Sequence, residues 1–207
     1  MHIIYNMEVT SILVIILIIF ILLSSFFMLF TSSNYNNNNI NMNKSIYSDE
    51  YKSNLVKAWV DHLMYTRLVV MAALQDDPEL NALLTRLMQN QDDIGNIVST
   101  YYGKKARTDI TNELHKHINL AVDTVKSVKA GNKADIDSNL KKLYANADDI
   151  GAYLDKLLNK QIFRHHMKMH IDTLVANVTS FAKKDGNDIP TLDNYTHSGV
   201  DMALAMI

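Results

Sequence analysis

Three histidines recur along this chain in matching surroundings. His62, His117 and His170 are followed by Leu, Ile and Ile, and 31, 32 and 31 residues later come Asp93, Asp149 and Asp201, in the strings DIG, DIG and DMA. Imidazole titrates near neutrality, hydrogen-bonds through both ring nitrogens and ligates metals. A carboxylate at a fixed offset can serve it as counter-charge, acceptor or further metal ligand. The first two aspartates sit in NQDDIG (90–95) and NADDIG (146–151), which differ at one letter. Local pairs extend the pattern. Glu113 and His117 are four apart, as are His166 and His170, while Asp193, His197 and Asp201 stand at i, i+4 and i+8. Such spacing puts each set on one face of a helix.

Two chemistries follow. His62, Asn90, His117, Asn146, His170 and Asp201 can form a polar layer that binds a small ligand or only hydrogen-bonds across helices and fixes their register. A divalent metal would instead draw on His62, Asp93, Glu113, His117, Asp149, His166, His170, Asp193 and His197. Proton transfer is a third use of the same residues. The residues give no catalytic assignment, because ELHKH lacks the Glu-x-x-His spacing of di-iron bundles and no G-x-S-x-G string is present.

The elements that must position these groups are helices. Apolar residues beyond Ser48 recur at three and four positions, and only two Pro and six Gly interrupt the chain of 207 residues. Helix one spans about 49–75. Asp77 as N-cap and Pro78 in the first turn begin a second, which ends before YYG. A third covers about 104–130, a fourth carries Ile136 to Leu157, a fifth covers about 160–184, and a sixth runs from about 191 to the end, with Val200, Leu204 and Ile207 as its stripe. Short breaks near 76, 131 and 186 imply antiparallel neighbours. The fold expected is therefore all-α: an up-and-down bundle of about six helices built as three antiparallel hairpins, an internal repeat of roughly 54 residues.

Within such hairpins, residues equidistant from a tip share a height. His62 is then level with Asn90, His117 with Asn146, and His170 with Asp201. Stepping 100° per residue puts the three His and both Asn at the edge of the apolar stripes, with Asp93 and Asp149 further out. The more inward Asn favours a hydrogen-bonded layer over a metal centre. The Gly ending each NxDDIG string allows close helix approach.

Ahead of the bundle, Ser11 to Phe30 reads SILVIILIIFILLSSFFMLF, without a charge. As a helix it spans about 30 Å, the thickness of a bilayer core. Its length, and the lack of a basic n-region or a small-residue cleavage site, favour a retained single-pass anchor over a signal peptide. The chain thus divides into a tail (1–10), a transmembrane helix (11–30) in contact with the lipid bilayer, an Asn-rich disordered tether (31–47) and the bundle (48–207). Lys44, the first basic residue past the span, leans the bundle toward the cytoplasm. Asn43, Asn177 and Asn194 begin N-x-Ser/Thr triplets, relevant only in a glycosylating lumen. A net charge of -2 with dispersed Lys and Arg gives no nucleic-acid footprint, and zero Cys excludes disulfides and thiolate sites. A protein partner is compatible with this plan.

WVDHLMYTRLVVMAAL, QNQDDIGNIVSTYYG, LHKHINLAVDTVKSVKAG and YANADDIGAYL together resemble a family of small all-helical proteins found mainly in Gram-positive bacteria, with no established activity. The resemblance covers about 55–180. It implies a soluble helical domain to which the anchor and tether are additions, and a last helix richer in His than the DMALAMI end of this chain. Taken together, the sequence predicts a membrane-tethered, non-enzymatic binding or structural module, with a metal-binding His/Asp bundle as the alternative.

Overall fold

A computed structural model describes residues 46–207. Its helices are α1 (Asp49–Gln75), α2 (Leu80–Ala130), α3 (Lys133–Leu158), α4 (Phe163–Lys183) and α5 (Asp188–Ala205). The all-α expectation holds, but among the described residues there are five helices rather than the six expected of the bundle. The difference lies at Gly103, where one hydrogen-bonded element spans the predicted second and third helices. Gly103 has φ 77° and ψ 178°, a conformation open to a residue without Cβ. The chain reverses there. A Cβ on Gly95 would meet Thr111 and the Arg107 carbonyl, and His115 Nε2 lies 3.2 Å from the Met88 carbonyl. α2 therefore consists of two antiparallel arms, 80–102 and 104–130.

Local signals set the other boundaries. Ser48 caps α1, its hydroxyl accepting from Tyr51 N–H, and Asn132 caps α3 by accepting from Asp135 N–H. Asp77 accepts from Glu79 N–H, yet α2 begins at Leu80, two residues later than Pro78 in the first turn would have placed it. Asp76, Asn159 and Lys184 end α1, α3 and α4 in the left-handed conformation.

Three glycines show how the hairpins meet. Gly95 abuts the second arm of α2, Gly151 faces the backbone of Arg164 at the start of α4, and Gly199 on α5 lies against Leu63 on α1. Each hairpin's second helix thus presents a glycine to the first helix of the next, and the third returns to the first. Ile46–Ile207 forms one compact unit, closed as a ring of three hairpins.

Its core has three parts. The largest lies toward the start of α1 and includes Leu55, Trp59, Ile94, Ile110, Ile150, Phe163 and Met202. Nearer the tips at 76, 131 and 186 lie Leu63, Val70, Val125, Leu174 and Val178, beside Val69, Leu87, Ile118 and Val122. Each fully buried aliphatic side chain contributes roughly 1.5–3 kcal/mol. His62, His117 and His170 lie between these clusters.

The stripe expected on the last helix is corrected. Leu204 is exposed, and α5 turns Tyr195, Ser198, Gly199, Met202 and Ala203 inward. Aliphatic size pointed the other way, but closure against Leu63 demands small residues there. Among the described residues, no helix is long and apolar enough to cross a membrane. The expected tail, transmembrane helix (11–30) and tether as far as residue 45 lie outside the described residues.

Candidate functional site

His62 on α1, His117 on the second arm of α2 and His170 on α4 are each no more than 2 % exposed. Their rings meet. The His62 and His170 centroids are 5.9 Å apart and those of His117 and His170 6.3 Å. His170 thus stands between the other two.

The amides beside them follow one scheme with one variation. Asn90 Nδ2 donates to the Ala58 carbonyl at 2.9 Å, and Asn146 Nδ2 donates to the Glu113 carbonyl at 3.5 Å. Each carbonyl lies one turn before the histidine. In the second hairpin, Asn146 Oδ1 accepts from His117 Nδ1 at 2.9 Å, while Nδ2 also donates to Glu113 Oε2 at 2.8 Å. His117 therefore carries its proton on Nδ1 and leaves a lone pair on Nε2. In the first hairpin Gln91 stands between Asn and His. Its Nε2 lies 2.8 Å from the Leu87 carbonyl, 3.2 Å from Asn90 Oδ1 and 3.2 Å from His62 Nδ1. As acceptor from an amide N–H, His62 Nδ1 holds the lone pair and Nε2 the proton. Gln91 is the single letter that separates NQDDIG from NADDIG, and Ala147 takes its place in the second hairpin.

The third hairpin has no such amide. His–amide contacts span 29 residues in both other hairpins, and the residue 29 after His170 is Gly199. His170 Nδ1 is buried without a hydrogen bond, as are Gln91 Oε1 and Trp59 Nε1. Tyr195 packs on His170 instead, with ring centroids 5.2 Å apart, and its hydroxyl faces Thr66.

Electrostatics follow from burial. Desolvation, opposed by the Gln91 contact and reinforced by His117, pushes His62 down to about 3. Desolvation pushes His117 down to about 4 against its bond to Asn146, and His170 well below the usual range, with both neighbouring imidazoles adding to the effect. All three are neutral at pH 7. Burial likewise raises the Tyr195 phenol above its ordinary range.

The carboxylates expected as ligands lie elsewhere. Asp93 is exposed and 3.6 Å from Arg86, and Asp149 is exposed and 3.8 Å from Lys116. Asp193, His197 and Asp201 are exposed on α5. Asp201 acts on His166, which is half-buried outside the layer, rather than on His170. Glu113 alone reaches the layer, through Asn146. Among the described residues, no three His, Asp or Glu groups could hold a metal ion, so the His/Asp metal set is not assembled.

The sequence reading missed Gln91, which binds His62, and Tyr195. The one-letter difference between the repeated strings was the available signal for Gln91. Asn177, read as the start of an N-x-Thr triplet, is buried. It accepts from Arg67 Nη1 at 2.9 Å, while Arg67 Nη2 pairs with Asp188 at 2.6 Å and the guanidinium lies 4.5 Å from the Phe181 ring centre. That setting leaves no room for a glycan.

No protein-family model, curated protein or solved structure matches this chain.

Proposed function

We propose that this chain is a membrane-tethered helical bundle without catalytic activity, serving as a binding or structural module, and that it is akin to the small all-helical proteins of Gram-positive bacteria it resembles. One observation carries the non-catalytic part. The interior histidines are neutral and held by amides or aromatic rings, Asp93 and Asp149 point outward into ion pairs, and Glu113 reaches the layer only through the Asn146 amide. Clefts lined by Leu74, Phe181 and Lys184, or by Tyr144, Arg164 and Asp172, do not include the three imidazoles. The tether part rests on the uncharged segment from Ser11 to Phe30.

Two measurements test the proposal. Extraction of membranes with alkaline carbonate is expected to leave the full chain in the pellet; release into the supernatant would overturn the anchor. Metal analysis after purification without chelators is expected to find no stoichiometric metal, and Zn, Fe or Mn to leave the melting temperature unchanged. Tightly held metal at one per chain would reinstate the metal-binding alternative, centred on His62, His117 and His170.

A further inference from the structure

The layer gathers three titratable rings without a counter-charge. From α1 it is faced by Trp59 and Thr66, and from the first arm of α2 by the neutral amides of Asn90 and Gln91. The second arm adds Glu113, whose carboxylate bonds to Asn146 on α3 and lies 3.4 Å from Lys116. From α4 comes His166, one turn before His170, itself lowered by burial and by His165 against the pull of Asp201. From α5 comes the Tyr195 phenol. Among the described residues, His115 is the only imidazole in an ion pair with a carboxylate, and it lies outside the layer.

Geometry makes the three rings act together. His170 touches both others, so a proton on any ring puts positive charge within about 6 Å of a second ring in a water-poor interior. We propose that this layer is a cooperative acid switch: the bundle stays closed while all three imidazoles are neutral and opens by taking up three protons together.

The sign follows from the burial described above. All three rings hold their proton more weakly in the folded chain than in the unfolded one, where histidine titrates near 6.5. Their contribution to stability is complete above that value and is lost as pH falls toward the folded values, about 4 for His117 and about 3 for His62. In the middle of that window, one proton shifts the unfolding equilibrium about tenfold per pH unit and three about a thousandfold. Carboxylates such as Asp172 and Asp185, lowered in the fold, begin to act only as pH falls to their ordinary value near 3.8, at the lower edge of this window.

Trp59 supplies the reporter. It is the single tryptophan of the chain and packs edge-on to His62, with ring centroids 5.4 Å apart. In mild detergent, the full chain is titrated from pH 7.5 to 3.5, with Trp59 fluorescence and urea midpoints recorded at each step. The expected result is a steep loss of stability between about pH 6 and pH 4, with a slope near three protons. His170→Met is expected to remain folded at neutral pH with a slope near two. A slope near one in the unmodified chain, or a transition confined to below pH 4, would overturn the proposal. So would an unchanged slope in His170→Met. Should that variant fail to fold, histidine ring NMR of the unmodified chain decides: an ordinary midpoint near 6.5 for any of the three rings in the folded state refutes the switch, and silence of all three until the transition supports it.

Discussion

The first and second hairpins share five of six letters in their repeated string, yet they set their histidines in opposite tautomers. In the second, Asn146 reaches His117 directly and the chain of bonds ends on Glu113. In the first, Gln91 intervenes and His62 becomes the acceptor. In both, Nδ1 meets the amide, and one side-chain amide more or less decides which ring nitrogen carries the proton. The third hairpin drops the amide altogether, because Gly199 must admit Leu63. An imidazole can therefore hold the same place in three repeats while its hydrogen bonding is set by a partner helix under separate packing demands.

That comparison can be broken at several points. The largest effect is expected for Asn146→Leu, which strands His117 Nδ1–H and takes one donor from the Glu113 carboxylate. Chemical denaturation at pH 7 should show a loss of about 3 kcal/mol. Next comes Gly151→Ala, whose new Cβ would lie 2.6 Å from the Arg164 Cα. Backbone cannot yield as a side chain can, so a net cost of about 2 kcal/mol is expected, and Gly199→Ala, meeting only the Leu63 side chain, should cost less. A ranking with Gly199→Ala the worse would show that the ring is held chiefly at its third seam. Gln91→Ala rewrites the first string as the second. It should cost about 1 kcal/mol, and nitrogen NMR of the ring should show His62 moving its proton to Nδ1 as Asn90 turns toward it. Retention of the proton on Nε2 would disprove the assignment of the tautomer to Gln91. The smallest effect belongs to His170→Met. It removes a buried nitrogen that has no partner, so stability at neutral pH should change by less than about 1 kcal/mol; a large loss would mean that His170 has an energetic role its contacts do not reveal.

Much of this arrangement was legible in the letters. Helical spacing and the breaks near 76, 131 and 186 place His62, His117 and His170 at one height, and their edge-of-stripe angles put them inside the bundle. The glycines of both NxDDIG strings do sit where helices nearly touch. What the letters hid was governed by contacts between hairpins. Gln91 reads as a solvent residue until its amide is seen to fill the gap between Asn90 and His62. Asp201 matches the spacing of Asp93 and Asp149, but α5 is rotated by the demand that Gly199 and Met202 face inward, and Asp201 turns outward with it. Single-helix periodicity weighs aliphatic bulk, so it chose Leu204 over a stripe of Tyr, Ser, Gly and Ala. The Gly103 reversal was legible as a break.

The contact between Leu63 and Gly199 also gives the ring an order in time. The first two hairpins join residues 29 positions apart across their histidines, whereas Leu63 and Gly199 lie 136 positions apart in the chain. Bringing together distant segments costs more chain entropy and slows assembly relative to local pairing. The hairpins should form first and the return of α5 to α1 last, so in the native protein α5 is the segment that leaves most often, and its amide protons should exchange ahead of those of α3.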